Sequence, residues 1–201
     1  MGQVIEREKI LGLNFAEFAA QTFFTLLLIQ VFSVVISIMT ARLLGPEGKG
    51  IVAVLILCPT LLFTIGHLSI YRVLTTHISL GKRSLRDYCG TVAFFILGIT
   101  VLLVGFFLLF YFLCPPLFIK NIGLSVILLA LGILPFFLMI QIFSSILQTQ
   151  EKIRQMNAVS IAQSVGALTS IIIFVFLLHQ GVPGVILSYF IANLFSALLA
   201  I

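Results

Sequence analysis

Charge is scarce in this chain, and its scarcity excludes most of what a protein of 201 residues could be. Asp, Glu, Lys and Arg together supply 8% of the residues, against roughly 25% in a typical soluble domain. Hydrophobic residues supply 61% and the mean hydropathy is +1.29, more apolar surface than any soluble fold could hide. Long polar linkers are missing too, so no second domain fits between the apolar runs. The three cysteines, Cys58, Cys89 and Cys114, show no CxxC pairing. That excludes a disulfide framework or a thiolate metal site and leaves them as inert thiols buried in the membrane. No acid/base pair, nucleophile–His set or metal-ligand spacing is present, so the sequence points to neither an enzyme nor a cofactor. A cleavable leader is also missing, because the first apolar run exceeds the ~7–15 residues of a signal-peptide core and no small-x-small site follows it. Gly2 follows Met1, but Glu6 stands where a myristoylation signal needs Ser or Thr.

What is there is six long apolar stretches, at residues 18–43, 51–80, 91–114, 124–147, 158–178 and 185–201. About 20 mostly apolar residues carry a helix across the ~30 Å hydrocarbon layer. Membrane β-strands are excluded, since they run ~9–11 residues with in/out alternation, whereas "AFFILGITVLLVGFFLLFYFL" is continuously apolar. With no water to satisfy the backbone at mid-membrane, helices remain. The expectation is an all-α polytopic membrane protein, residues 1–201 forming one membrane domain, with six transmembrane helices in one bundle.

The net charge of +5 would point to nucleic acid in a soluble protein; here its distribution sets orientation instead. Arg7, Lys9, Lys82, Arg83, Arg86, Lys152 and Arg154 fall on one side of the spans, and Arg42, Lys49 and Lys120 on the other. Positive residues stay in the cytoplasm, so seven against three places the N-terminus inside, and six spans bring the C-terminus back inside. No nucleic-acid partner is expected.

Polar residues within the spans follow regular stripes. Wound at ~100° per residue, Thr22, Gln30, Ser33, Ser37 and Thr40 of the first span fall within about 80°. In the second, Thr60, Thr64, His67, Tyr71 and Thr75 step by four, three, four and four, again one narrow face. Gln141, Ser145 and Gln148 form a shorter face in the fourth. Two explanations are open: helix–helix glue at about 0.6 kcal/mol per hydrogen bond, or the wall of a water-filled substrate path. By contrast, the third span has only Thr100 and Tyr111 as clearly polar side chains between Val92 and Leu113, as expected of a peripheral helix facing lipid.

Arg72 lies 21 residues from the outer end of a second span of 30, about 45 Å long at ~1.5 Å per residue. Two roles are open to it: an anchor that snorkels to the inner interface, or a cation in a cavity. His67, about one and a half turns deeper, sits on the polar stripe itself. Glu17, at the inner edge of the first span, is the only acid near a span interior. Small residues mark close packing: Ser188, Ala192, Ser196 and Ala200 at strict four-residue spacing, and Ala158, Ala162, Gly166 and Ser170 in the preceding span. Pro135, midway along the fourth span, removes a backbone hydrogen bond and should bend that helix.

After the first span the chain reads "ARLLGPEGKGIVAVL", with "LGKRSLRDYCG", "LQTQEKIRQMNAV" and "HQGVPGVILSYFIANLFSALL" further on. In order and spacing these segments resemble the first six helices of polysaccharide flippases, the Wzx-like branch of the multidrug/oligosaccharidyl-lipid/polysaccharide exporter superfamily. In the first motif Gly45, Gly48 and Gly50 around Pro46 permit a sharp turn. Arg42 and Lys49 on that turn either meet anionic headgroups or substrate, or are simply solvated. The resemblance implies a multi-pass protein of a prokaryotic inner membrane that exports undecaprenyl-pyrophosphate-linked glycan by alternating access. Such proteins pair two six-helix bundles around a cavity and are about twice this length, so a second six-helix half or a homodimer is the expected partner. The pyrophosphate would seek cations and the sugars hydroxyls and amides; His67, Arg72, Thr60, Thr64, Tyr71, Gln30, Ser33, Ser37 and Gln141 meet that demand. A cation-coupled drug exporter of the same superfamily and a non-transporting membrane component or inactive remnant are the competing functions. The first would need an acid deeper than Glu17.

Overall fold

The computed structural model describes residues 2–66, 85–113, 123–150 and 152–200. Among them all regular structure is helical: α1 (Gly2–Gly66), α2 (Leu85–Leu113), α3 (Leu124–Leu131), α4 (Leu134–Thr149), α5 (Ile153–Ile171, continuing as a π turn, Ile172–Leu177) and α6 (Gly181–Ala200). Five helices among the described residues are long and apolar enough to cross a membrane.

The first of these, Ala19–Gly66, is 48 residues long, about 72 Å if straight and more than twice the thickness of the hydrocarbon layer. It is not straight. Gly45 has φ 70° and ψ −179°, a conformation open essentially to glycine alone, and it divides α1 into a first arm (2–44) and a second arm (46–66). A straight helix would hold residues 37 and 49 about 18 Å apart. Instead, the Lys49 ammonium lies 3.0 Å from Ser37 Oγ, and Ile36 and Val52 belong to one buried cluster. The chain doubles back at Gly45.

The fourth apolar segment is also broken, as the proline led one to expect, but the break falls three residues earlier. α3 ends at Leu131, Gly132 and Ile133 form a turn, and α4 begins at Leu134 with Pro135 in its first turn. The reason is local: Pro135 has no N–H to give the Leu131 carbonyl, and proline is well placed at a helix start. Ile133 N–H turns instead to Ala130 O at 3.1 Å. The gap left at Gly132 receives Phe190 of α6, whose ring would lie 3.0 Å from a Cβ at that position. Phe190 also meets Phe136 edge-on, with centroids 5.4 Å apart.

Two buried clusters hold the helices. One joins Leu55 and Leu62 of the second arm, Ile96, Leu103 and Phe107 of α2, residues of α3 and α4, and Ile186 of α6. The other joins Ile36 and Val52 to Ala167, Ile171 and Val175 of α5 with its π turn and to Val185 and Ala192 of α6. α6 contributes to both and is the central helix. α2 is the opposite case: Phe94, Leu97, Val101, Phe106 and Leu113 are all exposed, and a strip at Ile96, Leu103 and Phe107, flanked by partly buried Ile99, Val104, Leu108 and Tyr111, packs inward. In lipid that exposure carries no hydrophobic penalty.

Candidate functional site

The residues around Gly45 form a hydrogen-bonded polar arrangement that joins the two arms of α1. Pro46 opens the second arm, where its fixed φ suits a helix start. The left-handed backbone is confined to Gly45; Gly48 and Gly50 are helical, so the turn uses one glycine rather than three. Gly48 serves packing instead: a Cβ there would lie 2.8 Å from Leu44 Cβ. Gly50 faces open space.

Lys49, one turn into the second arm, reaches back to the first. Its ammonium donates to Ser37 O at 3.1 Å, Ser37 Oγ at 3.0 Å and Thr40 Oγ1 at 2.8 Å. Thr40 is 2% exposed, and its hydroxyl donates in turn to Ile36 O at 2.8 Å. Three protons meet three acceptors at the C-terminal end of the first arm, where a cation also complements the helix dipole. Lys49, half-buried, thus clasps the two arms together. Arg42 is exposed on the same turn.

The stripe of the first span divides. Thr40 is buried, Thr22 half-buried, and Gln30, Ser33 and Ser37 are exposed. A stripe about 80° wide therefore straddles the edge of the packed face. On the second arm Thr60 and Thr64 are exposed, each hydroxyl donating one turn back, to Ile56 O at 2.7 Å and Thr60 O at 2.8 Å. On α4, Gln141 and Gln148 are exposed and Ser145 is buried, its hydroxyl donating to Gln141 O at 2.7 Å. His67, Tyr71 and Arg72 lie outside the described residues, so their place relative to these faces is open.

The glue between helices is made elsewhere. In α6, Ser188 and Ser196 are fully buried and Ala192 and Ala200 nearly so. Ser196 Oγ donates to Val159 O of α5 at 3.2 Å, and Ser188 satisfies its hydroxyl on Gly184 O at 2.7 Å. Between them Gln163 Nε2 donates to Asn193 Oδ1 at 2.9 Å, while Asn193 Nδ2 donates to Tyr189 O at 2.7 Å. Asn193 is 1% exposed. Periodicity missed this amide pair because each helix offers only one member to it. The available signal was a carboxamide midway along an apolar span, which needs a partner in a medium without water. Ala158, Ala162, Gly166 and Ser170 line a shallow apolar groove beside this seam, with Ile191, Ala192 and Phe195 opposite.

Two kinds of polar surface are therefore distinguishable: a satisfied set that ties helices together (Lys49, Gln163, Asn193, Ser196) and an exposed set (Gln30, Ser33, Thr60, Thr64, Gln141) that does not pack inward. Comparison of the chain with protein-family models, with curated proteins and with solved structures finds no match.

Proposed function

We propose that this chain is a flippase component for lipid-linked oligosaccharide or polysaccharide repeat units. In this reading its six spans form one bundle in a prokaryotic inner membrane, and that bundle needs a second six-helix half or a second copy to enclose a cavity. The observation that carries the reading is the exposed polar set within helices long and apolar enough to cross a membrane. Gln30 lies near the middle of the first arm's apolar segment among exposed Leu26, Leu27 and Val31, where a carboxamide facing hydrocarbon would be costly. A water-filled path removes that cost and gives sugar hydroxyls donors and acceptors. The motif segments around "ARLLGPEGKG", "LGKRSLRDYCG" and "LQTQEKIRQMNAV" support the same branch of exporters. His67 and Arg72 are the proposed partners of the pyrophosphate, and the faces bearing Thr60, Thr64, Tyr71, Ser33, Ser37 and Gln141 those of the glycan.

The test is passage of a fluorescent undecaprenyl-pyrophosphate-linked sugar across proteoliposomes that contain the chain and a second half. Passage that falls at least tenfold in Gln30→Leu, at unchanged expression, is the expected result. No passage with any second half supplied, or passage indifferent to Gln30→Leu and His67→Leu together, would sink the reading.

A further inference from the structure

A second site lies at the opposite end of the bundle from Gly45, where the end of α4, the start of α5 and the end of α6 enclose a cleft of about 530 Å³. That volume is in the range of small-molecule sites, roughly 300–1,000 Å³. We propose that this cleft binds an anionic phospholipid of the cytoplasmic leaflet.

The lining is graded from polar to apolar along one direction. Gln150, Lys152 and Gln155 occupy the end next to the α4–α5 connection, and Phe143, Ile146, Leu147 and Val159 form the walls deeper in. From Gln150 to Phe143 is about two turns of α4, roughly 10 Å. The last turn of α6, Leu199 and Ala200, completes the lining at the same end, beside Val159, whose carbonyl accepts the Ser196 hydrogen bond. A cleft polar and cationic at one end and hydrocarbon-like below it has the profile of a phospholipid: phosphate on Lys152, carboxamides on the ester region, one acyl chain along Phe143 and Leu147.

Charge and position select among amphiphiles. Lys152 is exposed, as a headgroup contact must be. In sequence the connection carries Lys152 and Arg154 beside Glu151, on the face that the excess of basic residues assigns to the cytoplasm, and of these Lys152 lines the cleft. Anionic headgroups gather at such residues. A neutral lipid would fill the apolar part but bring no charge to the ammonium, and a free anion would make no use of the Phe143–Leu147 wall.

The chain contains no tryptophan, so Leu199→Trp places a unique fluorophore in the cleft lining, with Leu147→Trp as a second reporter should the first misfold. The full chain is reconstituted in phosphatidylcholine vesicles containing equal mole fractions of brominated phosphatidylglycerol or brominated phosphatidylcholine. The expected result is about fivefold preference for the anionic quencher. It should be lost in Lys152→Gln, kept in Lys152→Arg, and absent for Phe106→Trp on the lipid-exposed face of α2. Equal quenching by the two lipids, a preference that survives Lys152→Gln, or the same preference at Phe106→Trp would overturn the proposal. Quenching by neither lipid, with a dimer in the vesicles, would assign the cleft to a second copy and overturn it equally.

Discussion

Replacing Lys49 by Met keeps the length and apolar stem of the side chain but removes the ammonium that ties the two arms of α1 together. Hydrogen bonds to a charged group contribute about 1.5–3 kcal/mol each when well sheltered. Here two of the three, to Ser37 O and Ser37 Oγ, are exposed, and only the 2.8 Å bond to Thr40 Oγ1 is partly buried. Thr40 also keeps its own bond to Ile36 O, so no donor is orphaned by the change. The dipole contribution at the end of the first arm adds about 0.3–1 kcal/mol. The sum after discounting for exposure is about 1–2 kcal/mol, roughly a five- to thirtyfold shift in the unfolding equilibrium. Reversible unfolding in mixed micelles, run as a double-mutant cycle with Thr40→Val, measures it, and a coupling of about 1 kcal/mol is expected. Strict additivity within ~0.3 kcal/mol, or no loss in Lys49→Met, would refute the clasp. The folded-back geometry has a separate check: cysteines at 37 and 49 should join through a bifunctional reagent about 8 Å long, which a straight helix with an ~18 Å separation forbids.

Gly45→Ala forces a Cβ into backbone at φ 70°, ψ −179° and should cost about 1–3 kcal/mol, seen as a lower unfolding midpoint, whereas Gly50→Ala, in open space, should be close to neutral. Ser196→Leu inserts bulk at a fully buried α5–α6 contact and should cost about 1–3 kcal/mol from overpacking, with reduced yield of folded protein. Gln163→Leu and Asn193→Leu, combined in a cycle, should show coupling of about 0.6 kcal/mol, as is usual for a side-chain hydrogen bond inside a membrane; coupling near zero would remove that pair from the seam.

The helical membrane character was legible from scarce charge and long apolar runs, and the turn in "LLGPEGKG" was legible from its glycine and proline. The detail of that turn was not. Gly48 and Gly50 read as turn residues, yet Pro46 starts a helix so readily that the chain needs only Gly45 in a left-handed conformation. Lys49 read as a cation on an outer loop, because nothing in its neighbourhood in sequence shows that the arm folds back onto Ser37 and Thr40. The polar stripe of the first span was real as a periodicity, but its division into a buried Thr40 and an exposed Gln30 depended on how far the helix is rotated against its neighbours. The small-residue ridge in α6 was legible, and its Gln163–Asn193 fastening was not, since nothing in the sequence singles out Gln163 from Gln155 and Asn157 on α5 as the partner of Asn193.

By itself the sequence determined that these residues enter a bilayer as helices, because segment hydropathy and backbone hydrogen bonding are properties of each stretch alone. Which face of each helix is buried was decided only by tertiary structure. Lipid tails are as apolar as leucine, so hydrophobicity does not rank one face of a membrane helix above another. Close fit and a few hydrogen bonds make that choice, and both need the partner helix in place.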